Sequence, residues 1–131
     1  MEKRKIESFE DLIVWQKGIE LVKSVYQCTS DGDFKRDFAL RDQIRRAAVS
    51  IPTNIAEGFE RSTRKEYLLF LNIAKGSAGE VRSLLRVALE VGYLSRATYD
   101  QLRDDVMALS RRLYSQIKAI REKESVTVKR A

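Results

Sequence analysis

From Tyr67 to Ala88 apolar side chains recur in steps of four and three without a break, through Leu71, Ala74, Ala78, Val81 and Leu85. That spacing holds one face of a helix against a partner, and little else in a sequence produces it over six turns. Thr63 with Glu66 three positions later forms a capping box at its start, and Gly92 stands at its end. The spacing predicts a helix over about 63–92, roughly 40 Å long at 1.5 Å per residue. After Ser95 the pattern repeats with Tyr99, Leu102, Val106, Leu109, Leu113, Ile117 and Ile120, which predicts a helix over about 96–122. The period is lost from Glu124 to Ala131, and these residues are expected to fray.

Two further helices precede these. Ser8 with Asp11 is a capping-box-like start for a first helix over about 9–29, with Leu12, Trp15, Ile19, Val22 and Tyr26 as its inner stripe. After a turn at Ser30-Asp31-Gly32-Asp33, a second helix over about 37–58 buries Ile44, Ala48, Ile51 and Ile55. Gly58 is suited to a left-handed cap at its end, and Pro52 sits inside it. At 131 residues the chain has room for one domain. Short connections favour antiparallel neighbours, so the expected fold is all-α, an antiparallel up-down-up-down four-helix bundle.

The chemistry is limited by what is missing. The sequence has no His, which excludes a His-based triad, a His-ligated zinc and a Glu-x-x-His di-iron site. The single Cys28 excludes an internal disulfide or a Cys-rich metal site, and among apolar neighbours it reads as a packed residue. No enzymatic activity, cofactor or metal is expected. The longest apolar run, Tyr67 to Leu71, is far short of the roughly 20 residues of a membrane span. The charged start at Met1 to Ser8 is unlike a secretory signal, so the expected location is the cytoplasm.

Lys and Arg exceed Asp and Glu by 25 to 19, a net charge of +6. In the expected topology the two termini and the second interhelical turn share one end. Lys3, Arg4, Lys5, Arg61, Arg64, Lys65, Lys118, Arg121, Lys123, Lys129 and Arg130 gather there against seven Glu, with basic tails over 1–7 and 124–131. The opposite end is slightly acidic. Arg61-Ser62-Thr63-Arg64-Lys65 spans a helix start, where free N–H groups, hydroxyls and the helix dipole can hold a phosphate. This makes Lys3, Arg4, Lys5, Arg61, Arg64, Lys65, Lys118 and Arg121 the candidate nucleic-acid contacts. Arg41, Arg45 and Arg46 are weaker ones, because Asp37 and Asp42 offer intrahelical pairs.

A second apolar stripe points to self-association. Leu69 and Ile73 fall about 160° from Leu71 at 100° per residue, and Gly76 continues that back face. On the first helix Ile13, Val14 and Leu21 also point away from the inner stripe. These six residues are the expected oligomer interface.

Arg45 to Gly58, which contains Ser50-Ile51-Pro52-Thr53-Asn54-Ile55-Ala56-Glu57-Gly58, is preceded by Phe9-Glu10-Asp11-Leu12-Ile13-Val14-Trp15-Gln16. Together with Tyr67 to Ser77 and Gly92-Tyr93-Leu94, it resembles the four-helix-bundle family of 23S rRNA intervening-sequence proteins over about residues 8–122. The resemblance implies a bacterial protein and a homopentameric ring, with the gene of some members lying inside an insertion in the large-subunit rRNA gene. It implies no established activity. A remoter likeness to the basic accessory proteins of diversity-generating retroelements brings in nucleic acid by analogy.

The residues of that motif also have a structural reading. Pro52 cannot donate to the Ala48 carbonyl, which Ser50, Thr53 or water would satisfy. Asn54 needs amide partners, with Asn72 one option, and Glu57 closes the turn beside Gly58. The leading expectation is a self-associating, non-enzymatic protein that binds RNA or DNA through phosphates. The alternative is a scaffold for another protein, with no nucleic-acid role. No membrane is involved in either.

Overall fold

The computed structural model describes residues 5–130, with side chains as far as residue 123. Its secondary structure among the described residues is entirely helical. A 3-10 turn, Phe9–Asp11, leads into α1 (Ile13–Cys28), the short α2 (Gly32–Arg36), α3 (Phe38–Phe59), α4 (Arg64–Glu90) and α5 (Arg96–Arg130). The backbone of α5 thus runs eight residues beyond the expected end at 122. The four long helices touch in a closed order, α1 on α3, α3 on α4, α4 on α5 and α5 on α1, the last pair most lightly.

The stripes of α4 and α5 form the core. Leu71, Ala74, Ala78, Val81, Leu85 and Ala88 are fully buried, and Leu102, Val106, Leu109, Leu113 and Ile117 meet them from α5. From α3 come Ile44, Ala48, Ile51 and Ile55. At α1 the structure corrects the expected register. Leu12 is buried but extended, because Ser8 and Asp11 cap the 3-10 turn and the α-helix starts only at Ile13. The buried face of α1 is Val14, Gly18, Leu21 and Val25, while Trp15, Ile19 and Val22 are half-buried and Tyr26 is exposed. The cause is Gly18: a Cβ there would lie 3.3 Å from the Pro52 Cβ, so the bare glycine is what lets α1 seat on the proline of α3. A stripe counted by apolar side chains passes over it.

The loop after α1 is built where a plain turn was expected. Gly32, at a φ of +61°, opens α2, and Phe34 from this short helix is 1% exposed. Asp37 caps α3 by accepting from the Leu40 N–H and also accepts from the Tyr93 hydroxyl, 3.0 Å away. Phe34 lies against the Tyr93 ring, with centroids 5.4 Å apart.

Gly58 is not a left-handed cap. It lies inside α3, its φ is not positive, and a Cβ would come within 2.8 Å of the Phe70 Cβ on α4. Gly92 does cap: at a φ of +84° it ends α4, with Tyr93 N–H bonded to the Ala88 carbonyl and Gly92 N–H to that of Leu89. Gly92→Ala is accordingly expected to cost about 1–2 kcal/mol in thermal or denaturant unfolding. Gly79→Ala, at a helical position with open space, is expected to gain roughly 0.5–1 kcal/mol.

Candidate functional site

The Tyr67 hydroxyl, near the start of α4, is shut off from solvent beside Gln116 of α5 without a well-formed hydrogen bond among the described residues. Burial pushes its pKa up and the Gln116 amide draws it back. This contact sets late α5 beside the α3–α4 turn, so Lys118 and Arg121 share an end with Arg61, Arg64 and Lys65.

The cations at that end are not equivalent. Arg61 reaches Glu57 at 2.6 Å and Glu66 at 3.6 Å, and its guanidinium lies over the Phe70 ring. Its charge is paired within the turn, unlike that of its basic neighbours, and Glu57 closes the turn through this pair. The start of α4 is likewise occupied. The Thr63 hydroxyl accepts the Glu66 N–H and donates to the Glu66 carboxylate, both at 3.1 Å, so an acid already sits at the positive end of the helix dipole. Lys5 makes a loose, exposed pair with Glu7 at 3.7 Å, the kind that contributes little. Arg64, Lys65, Lys118 and Arg121 are exposed and carry no ion pair among the described residues. Lys3 and Arg4 lie outside the described residues, as does the end of the second basic tail.

Elsewhere arginine does structural work. Arg45 donates to the Thr29 hydroxyl at 2.8 Å and stacks on Tyr26, tying the end of α1 to α3. Arg41 pairs with Asp42 at 3.0 Å, whereas Asp37, expected to pair along the helix, is taken by its cap and by Tyr93. The Cys28 thiol is pushed up to about 11 by burial, against the opposing charge of Arg45, so it stays protonated at neutral pH. No group of three or more metal-ligating side chains gathers among the described residues. Nor, among these, is any helix long and apolar enough to cross a membrane.

One basic feature lies outside the expected contacts. Arg111 and Arg112 are exposed on α5 and line a groove of about 750 Å³ between α5 and the start of α1. The available signal was that neither has an acidic residue three or four positions away, unlike Arg96 or Arg103.

The family model for the 23S rRNA-intervening sequence protein matches residues 10–115. The chain belongs to this family. A solved structure from the S23 ribosomal protein family of Bacteroides thetaiotaomicron VPI-5482, described as a protein of unknown function, is 27% identical. The likeness has a TM-score of 0.74 and covers 81% of this chain and 99% of that one. No functionally curated protein matches the sequence. The family segment contains Arg64, Lys65 and the groove arginines; Lys118 and Arg121 follow it.

Inside the same segment, Pro52 and Gly58 are buried contact points, the first against Gly18 of α1 and the second against Phe70 of α4, while Asn54 is half-buried and Glu57 exposed. The Asn54 amide donates to the carbonyl and to the hydroxyl of Ser50, both at 2.8 Å, and the Ser50 hydroxyl meets that of Ser77 on α4 at 2.9 Å. Asn72, the partner considered for Asn54, instead donates to Leu68 of its own helix. The expected oligomer interface divides. Val14 and Leu21, 5% and 3% exposed, belong to this chain's own core, a consequence of the α1 register. Ile13, Leu69 and Ile73 stay 50%, 57% and 42% exposed, and Gly76 faces open space.

Proposed function

We propose that this family member is a non-enzymatic, self-associating, antiparallel up-down-up-down four-helix bundle of the cytoplasm that holds RNA or DNA through phosphates at its basic end. The observation that carries the reading is the inequality among its cations: Arg61 is neutralised within the turn, while Arg64, Lys65, Lys118 and Arg121 stand exposed beside it without partners among the described residues. Unpaired Lys and Arg on one end are the footprint of backbone contacts, which bind with little regard to sequence. Self-association is supported by the exposed apolar stripe of α4, and the homopentamer comes from the family resemblance.

Two double variants test the site, Arg64→Glu with Lys65→Glu and Lys118→Glu with Arg121→Glu. Each is expected to weaken binding to single-stranded RNA by roughly tenfold or more at constant salt, with oligomer mass unchanged. Unchanged affinity in both would remove the basic end. A protein partner captured equally well after nuclease treatment would then establish the scaffold reading.

A further inference from the structure

Resting on the self-association reading, we infer that the α4 stripe of one copy seats in the α1–α5 groove of the next, with Glu80 of the stripe facing Arg111 and Arg112 of the groove. The two surfaces are different, and each has what the other lacks. Along the outer face of α4 run Leu69, Ile73 and Gly76, the last with nothing within 4 Å of where a Cβ would be. The same face then presents Glu80, exposed and without an ion pair among the described residues. The groove offers the half-exposed Ile6 and Ile13 with Ala108 and Ala119, and its charged members are Asp11, which accepts from the Glu7 and Ser8 N–H groups, and the guanidiniums of Arg111 and Arg112, which have no ion pair among the described residues. The spacings agree as well. Ile73 and Glu80 are seven residues apart, two helical turns or about 10 Å, and Ala119 and Arg112 are the same. Because α4 leaves the basic end and α5 returns to it, the two sequences of contacts, apolar then charged, run the same way. A contact between two unlike surfaces is heterologous, the class that closes into rings larger than a dimer.

Glu80 and Arg112 are surface positions, so charge reversal leaves the fold intact, as circular dichroism would verify. In sedimentation analysis Glu80→Arg and Arg112→Glu are each expected to weaken assembly at least tenfold, and the double variant to recover it. In addition, a copy blocked in the stripe (Leu69→Glu, Ile73→Glu) mixed with one blocked in the groove (Ile13→Glu, Arg112→Glu) should stop at a one-to-one dimer, since a single competent contact remains. Wild-type oligomer insensitive to both reversals, or no recovery in the double variant, overturns this pairing and leaves self-association standing. A monomeric wild type overturns both.

Discussion

Phe34→Ala is expected to cost about 3–5 kcal/mol, which at roughly 4 °C per kcal/mol for a chain of this length lowers the melting temperature by about 12–20 °C. The side chain is one of the largest that is wholly enclosed, yet it comes from a five-residue helix with no other buried residue. Without it α2 has no buried side chain, and its remaining tie is the bond from the Arg41 guanidinium to the Lys35 carbonyl. The loss would spread, because the Tyr93 ring that packs on Phe34 positions the hydroxyl bonded to Asp37, and Asp37 caps α3. Phe34→Leu, which refills most of the space, is expected to cost less than half as much. Thermal unfolding of the two variants decides it; equal, small losses would mean that the acidic end is held by something other than this side chain.

Gly58 gives the second large effect. Its missing Cβ would stand 2.8 Å from the Phe70 Cβ and 3.0 Å from the Tyr67 ring, atoms fixed to the backbone of α4 or held in its core-facing side. Gly58→Ala is expected to cost about 1–3 kcal/mol by forcing α3 and α4 apart. Phe70→Ala should not rescue it, since the clash is with a Cβ that alanine retains. Gly58→Asn discriminates between the two roles a glycine can have here. A left-handed cap tolerates asparagine, whereas a point of helix contact does not, so Asn is expected to be worse than Ala. Asn tolerated better than Ala in equilibrium unfolding would restore the capping role.

These two positions also show how far the sequence could be read. The stripes of α4 and α5 were legible because every apolar residue on them is used in the core and both helix starts carry ordinary capping chemistry. The α1 register was not, because its contact with α3 is made by Gly18 against Pro52, and an absent side chain leaves no mark in a count of apolar residues. Helix α2 escaped for a different reason: one apolar residue in five has no period. At Gly58 the expected capping role fails, since a sequence states that a position is bare without stating its φ or its neighbours. At the basic end the charges could be placed by topology alone, but pairing is a matter of side-chain reach. Arg61 lies within that of Glu57 and Glu66, Arg64 and Lys65 do not, and only coordinates distinguish them.

The most direct measurement of the central claim is the affinity of nuclease-treated wild-type protein for single-stranded RNA, duplex RNA and duplex DNA across a salt series, with mass followed by light scattering. Four cations without an ion pair among the described residues, each displacing a counterion from a single strand, give a log-log slope of about −3 for one engaged subunit, steeper where several subunits of the assembly share a strand. The account predicts a slope of that size or greater, carried by the oligomer. Affinity indifferent to salt, or no binding at the lowest salt with the oligomer intact, would contradict it.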